Sequence, residues 1–450
     1  MAGGIGTVAA VRIFTVLIIF VFGWPLVASA AVEEFTLDNG LKILFIEDHK
    51  IPLATFQIWY RVGSIDEPAG KSGMSHLLEH MMFKGTPHYG SKVFSNLIQR
   101  KGGMDNAHTS KDYTMYHQTL PSDAVRFSIE LEADRMKGLS LDSKDLESER
   151  SVVMEERRMR YEDDPQNLLY EALMATSLEV QAYRKPVIGW MSEIVAISRE
   201  DLADYYDTYY SPDNSFIIIS GDVEPGELMP LIKKEFGKIP PAGNKLKRIK
   251  TVEPAQKGEK IVYLEKESAA LPYILMAYHV PSFPDKDSFA LEVLSTVLSQ
   301  GKSSRLYRSL VYEKRIAIEA SADYNGLNRD PFLFIFGATV APGKEMKDVE
   351  QALLAEIEKI SQEPPSAVEV QKAKNQVEAS FVFARDSSYS EALYTGMFEV
   401  VGNWRLKDIY ITGIRSVNPE DVRDVARRYL TKENRTTGFL IPQKTGGAHE

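Results

Sequence analysis

Three polar side chains that could do chemistry stand among apolar ones in Gly73-Met74-Ser75-His76-Leu77-Leu78-Glu79-His80-Met81-Met82-Phe83. Met74, Leu77, Leu78, Met81 and Met82 recur at helical spacing, and Gly85-Thr86-Pro87 closes the segment. His76 and His80 are therefore expected one turn apart on one helix face, the separation at which two imidazoles can share a zinc ion. Glu79 borders the same face, where a carboxylate can take a proton from metal-bound water without being a ligand. The bland alternative is a pair of core histidines. A chance His-x-x-Glu-His is uncommon in a chain with eight histidines, and buried carboxylates need partners. His49, His88, His279 and His449 lack such a context and read as incidental.

Two histidines leave zinc open, and with no cysteine in the chain the third ligand must be a carboxylate or another histidine. The stretch Glu149 to Arg160 reads as a helix begun near Ser143 and ended by Asp163-Asp164-Pro165. Glu149 and Glu156 lie two turns apart on a face shared with Val152 and Val153, whereas Glu155 is rotated about 100° away. Periodicity does not by itself decide between a ligand at Glu156 and an ordinary solvated charged helix.

The elements that must position these residues occur twice. Ile194 to Leu202 resembles Ile414 to Val422 at an offset of 220, which continues through Tyr209/Tyr429 and Asn214/Asn434 into a strand-like run in both copies. Ser198 and Asn418 each precede an acidic pair, as helix N-caps do. Upstream, Pro52 and Pro272 open the β-rich stretches Leu53–Val62 and Tyr273–Val280. Phe35–Leu44 turns at Asp38-Asn39-Gly40 as a tight hairpin does. Mixed runs of strands and helices predict an α+β fold of two tandem homologous domains, each a mostly antiparallel sheet packed with helices. The expected domains are 33–245, which bears the zinc motif, and 255–442, which lacks it, linked through Pro240–Gly258. Laid against the first helix, Phe289–Leu298 puts Glu292, Ser295 and Thr296 where His76, Glu79 and His80 stand, so the chain offers one such site.

Length and composition, 450 residues with 44% hydrophobic and 26% charged, suit a folded chain. A net charge of −10 without a basic tract disfavours nucleic acid as a partner. Arg12, the apolar run Ile13–Phe22, Pro25 and Ala28-Ser29-Ala30 read as a secretory signal peptide over 1–30, cut after Ala30. Retention as an anchor is the alternative, but about 15 apolar residues fall short of the ~20 needed to span a bilayer. The mature chain is expected to be exported, periplasmic in a bacterium, with no stable membrane span.

His76-Leu77-Leu78-Glu79-His80, followed by Phe83-Lys84-Gly85-Thr86, resembles the inverted zinc motif of the pitrilysin, insulysin and mitochondrial processing peptidase family. Glu156 follows His80 at the spacing of that family's carboxylate ligand, and Glu149 matches its supporting glutamate. The resemblance implies zinc ligands His76, His80 and Glu156, one ion per chain, with Glu79 as general base and Glu149 as an outer carboxylate. Glu155 is the less favoured ligand. It also implies that Gly103 to Tyr116 supplies an edge strand onto which peptide substrate adds, with Asn106, Ala107 and Thr109 matching and His108 unassigned. The implied activity is a zinc metalloendopeptidase acting on extended or unfolded peptides.

Many members also hold substrate with an Arg and a Tyr from a second-half strand. Phe332–Val340 has neither, and Tyr324 and Arg329 lie earlier in an order that does not fit. Short members often pair, so a dimer is expected, with a heterodimer containing a companion chain that lacks the zinc motif favoured over a homodimer. The alternative function is a non-catalytic peptide-binding or assembly subunit, against which the general base Glu79 argues. A metal carrier would show His-rich loops, which this chain lacks.

Overall fold

The computed structural model describes residues 32–243, 246 and 251–443, so the signal segment, part of the link Pro240–Gly258 and His449 lie outside the described residues. Gly40, at φ 88°, lets the chain reverse between strands β1 (Val32–Thr36) and β2 (Lys42–Glu47), the first antiparallel pair. Asn39 does not stay within the turn: its side-chain amide donates to the carbonyls of Phe236 and Ile239 at 2.9 and 3.0 Å.

Strands β3 (Leu53–Tyr60), β4 (Met104–Thr109), β5 (Thr114–Pro121) and β6 (Ser215–Gly221) complete a six-stranded sheet in the order β1-β2-β6-β3-β5-β4. All pairings are antiparallel except β2 with β6. The apolar run Phe216 to Ile219 is buried throughout, which is why so late a strand takes the middle of the sheet between β2 and β3.

A second sheet holds β7 (Lys260–Lys266), β8 (Tyr273–Val280), β9 (Ala317–Tyr324), β10 (Phe332–Val340) and β11 (Arg435–Pro442) in the order β7-β11-β8-β10-β9. This repeats β2-β6-β3-β5-β4 position by position, including the one parallel pair, here β7 with β11. The fold is therefore α+β, two homologous domains in tandem. The caps repeat as well: Ser198 with Asp201 and Asn418 with Asp421 each form a capping box. Asn214 and Asn434 donate to the carbonyls of Tyr209 and Tyr429 at 2.8 and 2.7 Å.

The domains exchange helices. Pro165–Ser177, from the first, packs Leu169, Leu173 and Met174 against Leu275, Ala277 and Leu440 of the second sheet. Ser388–Val401, from the second, packs Ala392 and Val400 against Leu44, Trp59 and Phe216 of the first. Gly396 allows that approach, because a Cβ there would sit 2.3 Å from the Trp59 ring. Buried Glu399 accepts from Arg61 at 2.5 Å and Lys42 at 2.8 Å. Arg329 crosses in the other direction to Asp66, at 3.1 Å, and to the backbone carbonyl of Asp112, at 3.2 Å. Both contacts tie the halves with charges that have lost most of their water. No helix among the described residues is long and apolar enough to cross a membrane.

Candidate metal centre

The His helix, Met74–Met82, starts at Gly73 with φ 92°, where a Cβ would lie 2.5 Å from the Ile188 carbonyl. The Glu67 carboxylate accepts from the backbone N–H groups of Gly73 and Ser75, at 3.0 and 2.8 Å, so the first turn is capped from outside the helix. Leu77, Leu78, Met81 and Met82 are buried in the first core and fix the rotation that turns His76 and His80 the other way. The Glu helix, Ser143–Arg157, begins at Asp142, whose side chain accepts from the Lys144 and Asp145 backbones. It runs into one wider turn, a π-type segment over Arg158–Glu162.

His76, His80 and Glu156 meet between these helices, each offering a ligand atom within 4.8 Å of the others. The Glu156 Oε2 atom lies 3.7 Å from His76 Nε2 and 3.6 Å from His80 Nε2. Donors about 2.0–2.2 Å from a tetrahedral zinc are spaced roughly 3.3–3.6 Å apart, so the two carboxylate–imidazole separations, 3.7 and 3.6 Å, are close to that spacing. Glu156 Oε2 is buried without a hydrogen-bond partner, while Oε1 takes Arg160 at 2.6 Å. A buried carboxylate oxygen facing two imidazoles is an arrangement that a cation completes. Burial pushes the His76 pKa down to about 3, with His80 adding to it, so the imidazole is neutral and its lone pair available.

The surrounding groups hold this set in place. His80 Nδ1 lies 2.9 Å from Glu149 Oε2, which leaves Nε2 as the lone-pair face toward Glu156. Burial raises the Glu149 pKa, but Lys84 and His80 more than offset it, and the carboxyl is held below its ordinary range. Burial pushes Glu79 up, and the Thr109 hydroxyl donates to its Oε2. Glu155 points elsewhere: it is exposed and paired with Arg158 at 2.8 Å.

Of the strand residues, Asn106 is exposed on the outermost strand β4 and accepts from the Ala107 N–H at 2.9 Å. Ala107 is half-buried, and His108 lies on the exposed side. Thr109 is buried and turned in toward Glu79. Lys84 and Arg160 were not singled out by sequence reasoning, yet each lies four residues beyond a member of the candidate metal-holding group, His80 and Glu156 respectively. That spacing was the available signal.

Tyr324 and Arg329 are committed elsewhere, Tyr324 donating to the Pro281 carbonyl at 2.8 Å and Arg329 bound to Asp66. Among the described residues one further group, Glu47, His49 and Glu224, is close enough to hold a cation, but it is a surface cluster whose His49 is bound to Asp222 at 2.7 Å.

Comparison with known proteins gives a consistent result. The family described as insulinase (peptidase family M16) matches residues 42–189, and the peptidase M16 inactive domain matches 196–377. The chain is 31% identical to the zinc protease PqqE of Helicobacter pylori, over 91% of this chain and 93% of that one. It is 26% identical to a probable mitochondrial-processing peptidase subunit beta of Arabidopsis thaliana, over 88% and 75%. A crystal structure of a protease from Helicobacter pylori superposes with a TM-score of 0.87 at 31% identity, covering 92% of this chain and all of that one. The periplasmic protease PqqL of Escherichia coli shares the fold at a TM-score of 0.77 and 19% identity, over 92% of this chain and 48% of that one.

Proposed function

The chain belongs to the M16 family of insulinase-type peptidases, and from that premise we propose that it is a zinc-dependent endopeptidase of extended or unfolded peptides. The observation that carries this reading is the convergence of His76, His80 and the orphaned Glu156 Oε2 beside Glu79, itself not a member of the ligand set. In it, His76, His80 and Glu156 hold one zinc ion, which when bound supplies Lewis acidity to a scissile carbonyl and lowers the pKa of water to about 7.

The chain's own residues do the rest. Glu79 is the general base, and its desolvated carboxylate accepts a proton more readily than an exposed one would. Thr109 holds Glu79 Oε2 and so presents the other oxygen for the transfer. Glu149 fixes His80 through Nδ1. Strand β4, free on its outer side, offers backbone groups to an extended chain, with Asn106 and Ala107 at the point of addition. Selection through backbone pairing favours unfolded segments over particular side chains.

In this proposal the chain is exported to the periplasm or beyond, and it works as a dimer. With Tyr324 and Arg329 both engaged in architecture, a companion chain supplying the missing substrate contacts fits better than a second identical copy. The test is cleavage of a quenched, unstructured peptide by the zinc-loaded mature chain, alone, beside its Glu79→Gln twin. Cleavage by the wild type only is the expected result. Equal cleavage by both would overturn the role of Glu79. Silence from both with zinc bound would favour a peptide-binding subunit or an absent companion, which adding candidate partner chains then separates.

A further inference from the structure

The second domain has a cavity between the two helices that correspond to the His helix and the Glu helix of the first. Asp287–Ser299 stands where the His helix stands, and Ala367–Phe383, N-capped at Ser366, stands where the Glu helix stands, N-capped at Asp142. Counted from those caps, Ser380 replaces Glu156; counted along the first helix, Glu292 replaces His76 and Thr296 replaces His80. These residues line a single cavity of about 190 Å³, open to solvent on one side.

Its contents are unlike those between the first pair of helices. Among the described residues no side chain hydrogen-bonds to or pairs with the Glu292 carboxylate, and burial alone pushes its pKa up to about 7. Phe381, Tyr394 and Tyr410 share its lining with the amides of Gln300 and Gln376. The Arg385 guanidinium already lies over the Phe381 ring, 4.7 Å from its centroid, which leaves Tyr394 and Tyr410 as the rings without a cation among the described residues. The charge of Glu292 adds to the burial that raises the Tyr410 hydroxyl. A zinc or calcium ion finds too little here, since the lining has one carboxylate and no imidazole. One unpaired carboxylate beside two tyrosine rings and neutral amides is chemistry that suits an organic ammonium group: the carboxylate takes its N–H donors and the rings its charge.

We infer that this cavity is a second binding site, for a primary ammonium group on a short aliphatic chain, with Glu292 as counter-ion and Tyr394 and Tyr410 as its aromatic neighbours. A lysine side chain and a peptide amino terminus both carry that group. Nothing in the site reaches the His76–His80 helix, so occupancy and peptide hydrolysis are separable.

The experiment uses the full mature chain loaded with zinc, titrated calorimetrically at pH 8.5 with n-butylammonium, N-acetyl-lysine amide and leucinamide, and with butan-1-ol as the neutral isostere. The expected result is one saturable site for butylammonium and none for butanol, with the two peptide-like probes showing which source the site accepts. Glu292→Gln should weaken butylammonium at least about tenfold. Ser380→Trp, at the exposed mouth, should block it with Glu292 intact. Thermal melts identical to wild type would show that both variants fold. Absence of butylammonium binding, or binding unchanged by both substitutions, would overturn the inference. So would butanol binding as well as butylammonium.

Discussion

The two domains place the same pair of helices over the same order of strands, yet among the described residues only the first sets between them a group of side chains that could hold a metal ion. In the first, His76, Glu79 and His80 look across at Glu149 and Glu156. In the second, Glu292 and Thr296 share a cavity with Val377 and Ser380, and the Ser295 and Thr296 hydroxyls turn back to the Glu292 carbonyl of their own helix. The difference teaches that the helix pair is a property of the topology, whereas the chemistry between its members belongs to about five side chains that can change without disturbing a strand. Freed of that chemistry, the second domain takes over architecture: it supplies Glu399 for Arg61 and Lys42, and Arg329 for Asp66.

Breaking the comparison most sharply, His80→Ala should remove both metal and activity, as read by metal analysis after gel filtration and by the peptide assay. Next is a paired test of equivalent positions. Glu79→Gln should lower turnover by about 10²–10⁴-fold with metal retained, whereas Ser295→Ala should leave turnover within about twofold of wild type, because its hydroxyl only returns to the Glu292 carbonyl of its own helix. A third variant probes the division of labour: Arg329→Met leaves buried Asp66 without its cation. The expected cost is about 3 kcal/mol, roughly a hundredfold in the folding constant, measured by denaturant unfolding. A milder loss than that of Glu79→Gln is expected for Glu149→Gln, which still accepts from His80 but loses its charge toward Lys84. Zinc affinity should fall by about 10–100-fold, read by competition with a chelator.

Much of this was legible in the sequence because it is local. The helix carrying His76 and His80 follows from apolar spacing, and the internal repeat survived as caps, as the Asn214 and Asn434 hydrogen bonds, and as strand order. Glu156 was reachable only through family spacing, since helix periodicity gives it the same face as many solvated glutamates. What could not be read was long-range. Strand β6 separates β2 from β3 although it comes long after both in the chain, and no local pattern announces which strand becomes the centre of a sheet. Thr109 reads as a strand residue open to substrate, but its hydroxyl turns inward to Glu79. Arg329 stands out in sequence as a misplaced substrate contact, and its partners Asp66 and Asp112 belong to the other domain, far beyond the reach of any local pattern.

The helix exchange sets a timetable for folding. The rear of the first sheet, with Leu44, Trp59 and Phe216, is covered by Ser388–Val401, so it stays bare until residue 401 of 450 has been made. A chain interrupted in the link between domains would carry every side chain of the proposed metal site and still present a broad apolar face to its neighbours, which is a route to aggregation. Early possession of the site is thus tied to late completion of the body around it. A truncated product is disposed to be sticky before it can be active.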